Sequence, residues 1–416
     1  MSNTGHQRRI AVVGAGMVGL STAWFLQERG VEVTVLERKD VAAGSSWGNA
    51  GWLTPGISTP LPEPAVLKYG IRAVLSPSSP VYVPPTANPR LIRFLASFAR
   101  HSTAGRWKTA MDSLVPINRT ALPAFDALAA GGVEVGTRTA DDFIAAYRTE
   151  SEREVLLDEL EHIKAAGQDI GFELISGARA REITPALSEQ VNHAIRLEGQ
   201  RFIDPGAFVD SLAASFRDRG GVIREGVRVD DVDATGTGVV LTTSEGVERY
   251  DDVVLATGAW ISRQARDFGV RVPVQAGRGY SFSVPVDTVP TSPVYFPAQR
   301  VACTPLGDRL RVAGMMEFRD PDADLDSRRI KAIVDAARPL LTGVDLDDRK
   351  DEWVGSRPCT PDGLPVIGST FAPNVHVAGG HGMWGITLGP ATGRLLAESI
   401  VTGTTPRELA PFNPLR

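Results

Sequence analysis

The stretch that constrains this chain most is Gly14-Ala15-Gly16-Met17-Val18-Gly19, set between the β-branched run Ile10-Ala11-Val12-Val13 and a helical pattern from Met17 to Arg29 that Gly30 closes. A second strand, Val31 to Leu36, follows with alternating polarity. Strand, glycine turn, helix and strand make a βαβ unit, which calls for a parallel sheet with the helix on its face. The three glycines carry separate tasks: the tight turn, the close approach of a pyrophosphate, and the packing of helix on strand. The helix N-terminus then aims unpaired N–H groups and the positive end of its dipole at the phosphates. Glu37 ends the second strand 18 positions after Gly19. A carboxylate there accepts hydrogens from both ribose hydroxyls and repels a 2′-phosphate, which argues against NADP. Ala15, Met17, Val18 and Arg38 complete the expected dinucleotide-binding set around this turn.

The turn alone serves FAD and NAD alike, so the choice falls to later segments. The small-residue loop Ala43 to Gly51, with Ser45, Ser46, Asn49, Ala50 and Gly51, reads either as a wrap around a further part of an extended cofactor or as a flexible surface loop. A strand from Val253 enters the turn Ala256-Thr257-Gly258-Ala259-Trp260, where Ala256, Gly258 and Trp260 offer a second backbone contact with a dinucleotide. Near the end, a strand Asn374 to Ala378, a glycine loop to Pro390 and a helix from Ala391 to about Val401 aim backbone N–H groups at one point. Such a loop stabilises the anionic edge of a reduced flavin, which a nicotinamide lacks. His381 within it is either a candidate base or a structural histidine. Arg357 stands alone in a turn-rich stretch from Trp353 to Gly368. Its planar guanidinium suits a carboxylate substrate, the alternative being a surface ion pair.

Composition narrows the class further. At 416 residues the chain has room for two to three domains of about 150 residues each. Apolar residues at 43% and charged ones at 22% are ordinary for a globular protein, and a net charge of −5 offers no field to hold nucleic acid. Two cysteines, Cys303 and Cys359, are too few for a disulfide framework or a Cys-rich metal site, so no metal and a cytoplasmic setting are expected. Arg8 and Arg9 precede the uncharged run Ile10 to Leu26, which imitates a leader. Its glycines, its lack of a small-residue cleavage site and its 17 residues against the roughly 20 of a membrane span argue otherwise. Residues 52–89, with Tyr69 and Tyr82, read as an irregular Pro- and Ser-rich excursion. Helices are expected over 89–100, 110–130, 151–166 and 204–219, and an antiparallel sheet over 270–316. An amphipathic surface within 52–110 serves the core or rests on the inner face of a membrane.

Taken together, GAGMVG, GSSWGNAG, ATGAW, GRGYSF, LRVAGMMEF, SRPCTPDGLPVIG and GGHGMWGITLGPATGRLLAE resemble the FAD-dependent D-amino-acid oxidase superfamily, most of all its bacterial D-amino-acid dehydrogenases. The likeness spans nearly the whole chain. It implies an α/β fold with a discontinuous Rossmann-like FAD-binding domain over 1–60, 200–262 and 350–416. A second α+β substrate domain, built on a mixed or antiparallel sheet, would take 61–199 and 263–349. It implies non-covalent FAD, with Cys359 only a small core residue. Gly14, Gly16 and Gly19 would hold the pyrophosphate, Glu37 the adenosine ribose, and Ser45 and Ser46 the stretch toward the flavin. Val229 would meet adenine through its backbone, Gly258 the pyrophosphate, and Gly382, Met383, Trp384, Gly385, Ile386 and Thr387 the flavin's pyrimidine edge. Arg357 would clamp the substrate carboxylate, with Tyr280 a further substrate-side candidate. Some members carry a second arginine in the glycine loop where Met383 and Trp384 stand here, which places carboxylate binding on Arg357 and argues against glycine-oxidase-like specificity.

The implied reaction is hydride transfer from the α-carbon of a D-amino acid, D-proline-type cyclic substrates included, to flavin N5. It gives a 2-oxo acid or a cyclic imine and passes electrons to a quinone, O2 or another acceptor. Positioning supplies most of such catalysis, so a missing base is compatible with it. An oxygen-using secondary-amine oxidase of the sarcosine or glycine type is the alternative.

Overall fold

The strand Arg9–Val13 is buried at every position after the first, as a strand covered on both faces requires. In the computed structural model, which describes residues 7–64, 76 and 78–416, this strand lies inside a six-stranded sheet; Tyr69 lies outside the described residues. The strand order is Val222–Arg224, Glu32–Leu36, Arg9–Val13, Asp252–Leu255, Val375–Gly379, Val366–Ser369. All neighbours are parallel except the last pair. Three distant parts of the chain therefore meet with their carboxyl ends on one edge, the usual place for a ligand in such sheets.

Helix Met17–Glu28 is apolar around most of its circumference, because it runs between this sheet and the helix Gly385–Thr402. The two helices touch backbone to backbone. A β-carbon on Gly393 would stand 2.5 Å from the carbonyl carbon of Ser21, and one on Gly389 2.6 Å from Met17 Cγ. The pair Gly389 and Gly393, four apart on one helical face, is thus a packing device. The helix starts at Gly385, six residues earlier than the glycine-rich sequence suggests, and carries Pro390 inside it. Much of the expected loop is therefore helix. Likewise the helix expected from residue 110 begins at Ala104 and runs through Pro116 and Pro123. Side-chain caps mark other starts: Asp204 accepts from Gly206 and Ala207 N–H, and Asn88 from Arg90 N–H.

The second main layer is a nine-stranded sheet, mostly antiparallel. From one edge it runs Lys350–Cys359, Gln275–Pro285, Arg309–Phe318 and Val301–Leu306. Alternation divides its faces. Tyr280, Phe282 and Val284 join Ile330, Ile333 and Ala337 of helix Ser327–Ala337 in one core, whereas Ser281, on the other face, donates to the Gly48 carbonyl at 2.8 Å. A boundary at residue 350 would cut ahead of the strand Lys350–Cys359, which pairs within this second sheet.

Candidate active site

Where the parallel strands end, a cavity of about 830 Å³ opens between the two sheets. Gly14, Gly16, Glu37, Val229 and Gly258 line it, and so do Arg357, His381, Gly382 and Met383. The glycines divide their work by contact. Gly14 has φ +112°, and a β-carbon on it would lie 2.6 Å from the Ala256 carbonyl oxygen. One on Gly19 would lie 1.9 Å from the Gly14 carbonyl oxygen. Gly16 has only Ser46 Oγ nearby, at 3.2 Å, and borders the cavity. Ser46 Oγ also accepts from the Met17 N–H at 3.1 Å, which steadies the helix start.

The Glu37 carboxylate is fixed by two backbone amides, Ala15 N–H and Lys39 N–H, each at 2.9 Å. A carboxylate oxygen keeps accepting capacity beyond one bond, so hydroxyls in the cavity still find an acceptor. The loop after it is tied to the second sheet. Ser45 Oγ donates to the Ser356 carbonyl, Arg311 to the Trp47 carbonyl and Thr304 to the Ala50 carbonyl, at 2.7–2.8 Å. These bonds anchor the loop to the second sheet. Opposite Glu37, the segment 321–325 forms a strap on the cavity wall. Asp322 accepts from Trp260 Nε1 at 2.9 Å and from Arg38 at 3.3 Å, while the Arg38 guanidinium lies 4.0 Å from the centre of the Trp260 ring.

At the other end stands Arg357. Its Nη1 donates to the Met315 carbonyl at 2.8 Å and approaches Met316 Sδ at 3.9 Å. No carboxylate among the described residues pairs with it, and burial holds its pKa below the ordinary value. Cys359 beside it is a neutral thiol, pushed up to about 12 by burial. His381 is 3% exposed; its Nε2 meets Thr392 Oγ1 at 2.9 Å and its Nδ1 has no hydrogen-bond partner. Burial lowers its pKa to about 4, so the ring is neutral at pH 7 and a weak base.

Several expected site residues lie elsewhere. Tyr280 is 1% exposed inside the second core, and its hydroxyl donates to Glu317 Oε2 at 2.5 Å, so it is absent from the cavity wall. Strand alternation turns it to the helix side of the sheet. Trp384 donates to the Thr59 carbonyl and Thr387 to the Trp52 carbonyl, which turns both side chains away. Gly51 is structural: a β-carbon there would stand 2.2 Å from the Ile203 carbonyl oxygen. Ala15, Gly19 and Ala50 also stand behind the wall, whereas Met17, Val18, Arg38, Ser45, Ser46, Asn49, Ala256, Trp260, Gly385 and Ile386 line it. Sequence reasoning missed Thr257, visible in ATGAW, and Arg278, whose buried Nε and Nη1 carry no hydrogen bond. It also missed the strap at Asp322, whose only local signal was a turn-rich run of aspartates.

An extended dinucleotide fits these walls. Two helix N-termini, at Met17 and Gly385, reach one cavity, which has an anchored carboxylate at one end and, at the other, a neutral imidazole and a guanidinium without a carboxylate partner among the described residues. Comparison with known proteins agrees. The family model described as FAD dependent oxidoreductase (DAO) matches residues 9–399. The chain is 30% identical to the D-amino acid dehydrogenase of Xylella fastidiosa, over 94% of this chain and 92% of that one. It is 29% identical to the D-amino acid dehydrogenase of Agrobacterium fabrum, over 95% and 96%. In fold it is similar to the glycine oxidase from Geobacillus kaustophilus, with TM-score 0.75, 22% identity and 99% of each chain covered. It is likewise similar to the L-proline dehydrogenase from P. horikoshii, with TM-score 0.69, 19% identity, and 99% of this chain and 98% of that one covered. A doubly anchored dinucleotide turn, a second sheet closing over it and a family match across almost the full length lead to one assignment: the chain belongs to the FAD-dependent oxidoreductases of the DAO family.

Proposed function

We propose that this chain is an FAD-dependent dehydrogenase of D-amino acids, cyclic ones such as D-proline included. The observation that carries the reading is Arg357, a guanidinium on the cavity wall with no carboxylate partner among the described residues. Its Nη1 is spent on the Met315 carbonyl, which leaves Nε and Nη2 as the fork for a substrate carboxylate. FAD, when bound, supplies the two-electron acceptor for the substrate's α-carbon. The Gly16 and Gly258 backbones and the start of helix Met17–Glu28 would hold its phosphates, and Glu37 its ribose. The first turn of helix Gly385–Thr402 would stabilise negative charge at the flavin end. His381 keeps its place through Thr392, and burial makes it a weak base, which fits a positioning role better than that of a general base. The imine product hydrolyses in water to a 2-oxo acid and ammonia, and a cyclic imine is released as such.

The names of the two curated relatives favour a dehydrogenase, with a quinone or another carrier as acceptor, over an oxygen-using amine oxidase. The proposed FAD-binding unit is the six-stranded sheet with its two helices, and the substrate unit is the nine-stranded sheet. The test is the anaerobic visible spectrum. D-Amino acids are expected to bleach the flavin band and their L counterparts to leave it. Bleaching by sarcosine or glycine with rapid peroxide formation in air would replace the reading by the oxidase.

No helix among the described residues is long and apolar enough to cross a membrane. We infer peripheral contact instead. Residues 64–111 contain no Asp or Glu, and helix Pro89–His101 buries Leu91, Phe94 and Phe98 while Arg90, Arg93 and Ile92 stay exposed. Salt-sensitive co-sedimentation with anionic vesicles checks it, and equal recovery with neutral vesicles speaks against it.

A further inference from the structure

The strand Gln275–Pro285 runs between Lys350–Cys359 and Arg309–Phe318, and the two sides treat Gly279 differently. Toward Lys350–Cys359 the register is regular from Gln275 to Ser281, with Gly277 opposite Arg357 and Gly279 opposite Gly355. Toward Arg309–Phe318 it slips. Arg278 faces Glu317 but Tyr280 faces Gly314, so Gly279 alone stands against both Met315 and Met316, a β-bulge. Met315 has φ +65°, a left-handed conformation that is costly for a residue with a side chain. The bulge turns the Met315 carbonyl to accept from Arg357 Nη1 at 2.8 Å.

Gly279 provides the other half of the arrangement. A β-carbon there would lie 2.2 Å from Arg357 Nη2, 2.3 Å from Cζ and 2.4 Å from Nη1, with no other atom nearer. The guanidinium therefore rests on the bare α-carbon. The Gly279 backbone is not in the left-handed region, so alanine fits its conformation, and the three atoms its β-carbon meets first all belong to the end of Arg357.

We propose that Gly279 and Met315 are positioning residues: the bare α-carbon of Gly279 is the floor and the Met315 carbonyl the hook that set the height of the Arg357 guanidinium above the sheet, and with it the place of the substrate's α-carbon. This rests on the reading of Arg357 as carboxylate anchor. Neither residue lines the cavity. A bulge beside a reacting site re-aims one side chain, and here the side chain lies on the neighbouring strand.

The experiment compares Gly279→Ala, Arg357→Ala and the double variant as flavin-loaded enzymes. The readouts are flavin content, Tm, and kcat and KM for a D-amino acid that wild type turns over. Gly279→Ala is expected to keep its flavin and melt within a few degrees of wild type, while KM rises about tenfold or more and kcat changes less. The double variant is expected to be no worse than Arg357→Ala, because the floor has no function without the side chain it supports. Unchanged KM in Gly279→Ala, or an added loss in the double variant, overturns the positioning role while a raised KM in Arg357→Ala leaves the anchor intact. Unchanged KM in Arg357→Ala removes the anchor itself. If Gly279→Ala does not fold, the double variant, relieved of the clash with Arg357, carries the test through guanidinium ion. Added guanidinium is expected to restore turnover to Arg357→Ala and not to the double variant, and equal rescue overturns the proposal.

Discussion

The two ends of the cavity are built in opposite ways. The phosphate end comes from one continuous βαβ segment, residues 9–37, whose turn, helix start and carboxylate lie within reach of one another along the chain. The Arg357 end is assembled from three strands far apart in sequence: one supplies the guanidinium, one a bare α-carbon and one a displaced carbonyl. A site made of local chain can be read from spacing. A site made across a sheet depends on register, and a slip of one residue sends every side chain to the other face.

The strongest way to sharpen this contrast is Gly16→Val. A β-carbon there meets only Ser46 Oγ at 3.2 Å, so the chain is expected to fold yet to purify with almost no flavin absorbance. Full yellow colour would break the reading of the local end. Next comes Arg357→Lys, which keeps the charge and loses the planar fork. KM for a D-amino acid is expected to rise by about ten- to a hundredfold with flavin content unchanged. Asp322→Ala cuts both clasps of the strap, one to Trp260 and one to Arg38. These contacts are largely exposed, so FAD release is expected to speed up only a few-fold, as followed by the return of flavin fluorescence. An unchanged release rate would make the strap a bystander.

The smallest effect concerns His381. Its folded pKa of about 4 lies below that of an unfolded histidine, so the unfolded chain binds the extra proton between about pH 6.5 and 4. Stability on this account is complete above pH 6.5 and is lost as pH falls toward 4. Over that window the Tm of wild type is expected to fall more than that of His381→Gln. A parallel decline would show that burial of His381 has no part in acid sensitivity.

That the glycine turn, Glu37, Gly258 and Arg357 would border one cavity was legible because each depends on residue type at a fixed place along the chain. Tyr280 was set at the substrate side by resemblance alone, and only the pleat tells which face it takes: Tyr280 faces the core with Glu317. Trp384 and Thr387 were misplaced because the helix starts at Gly385 and turns their side chains toward Thr59 and Trp52. Gly389 resembled a ligand-loop glycine until its contact with Met17, beside that of Gly393 with Ser21, gave it a packing role.

The sequence by itself determined the βαβ unit, its glycine turn and the carboxylate that ends its second strand, because such a unit carries its own geometry over about thirty residues. Only the tertiary structure decided what surrounds Arg357, which residues line the flavin end and how a strap from the second sheet reaches Trp260. Those depend on strand pairing, on a bulge at Met315 and on close helix contact, none of which has a local period to read.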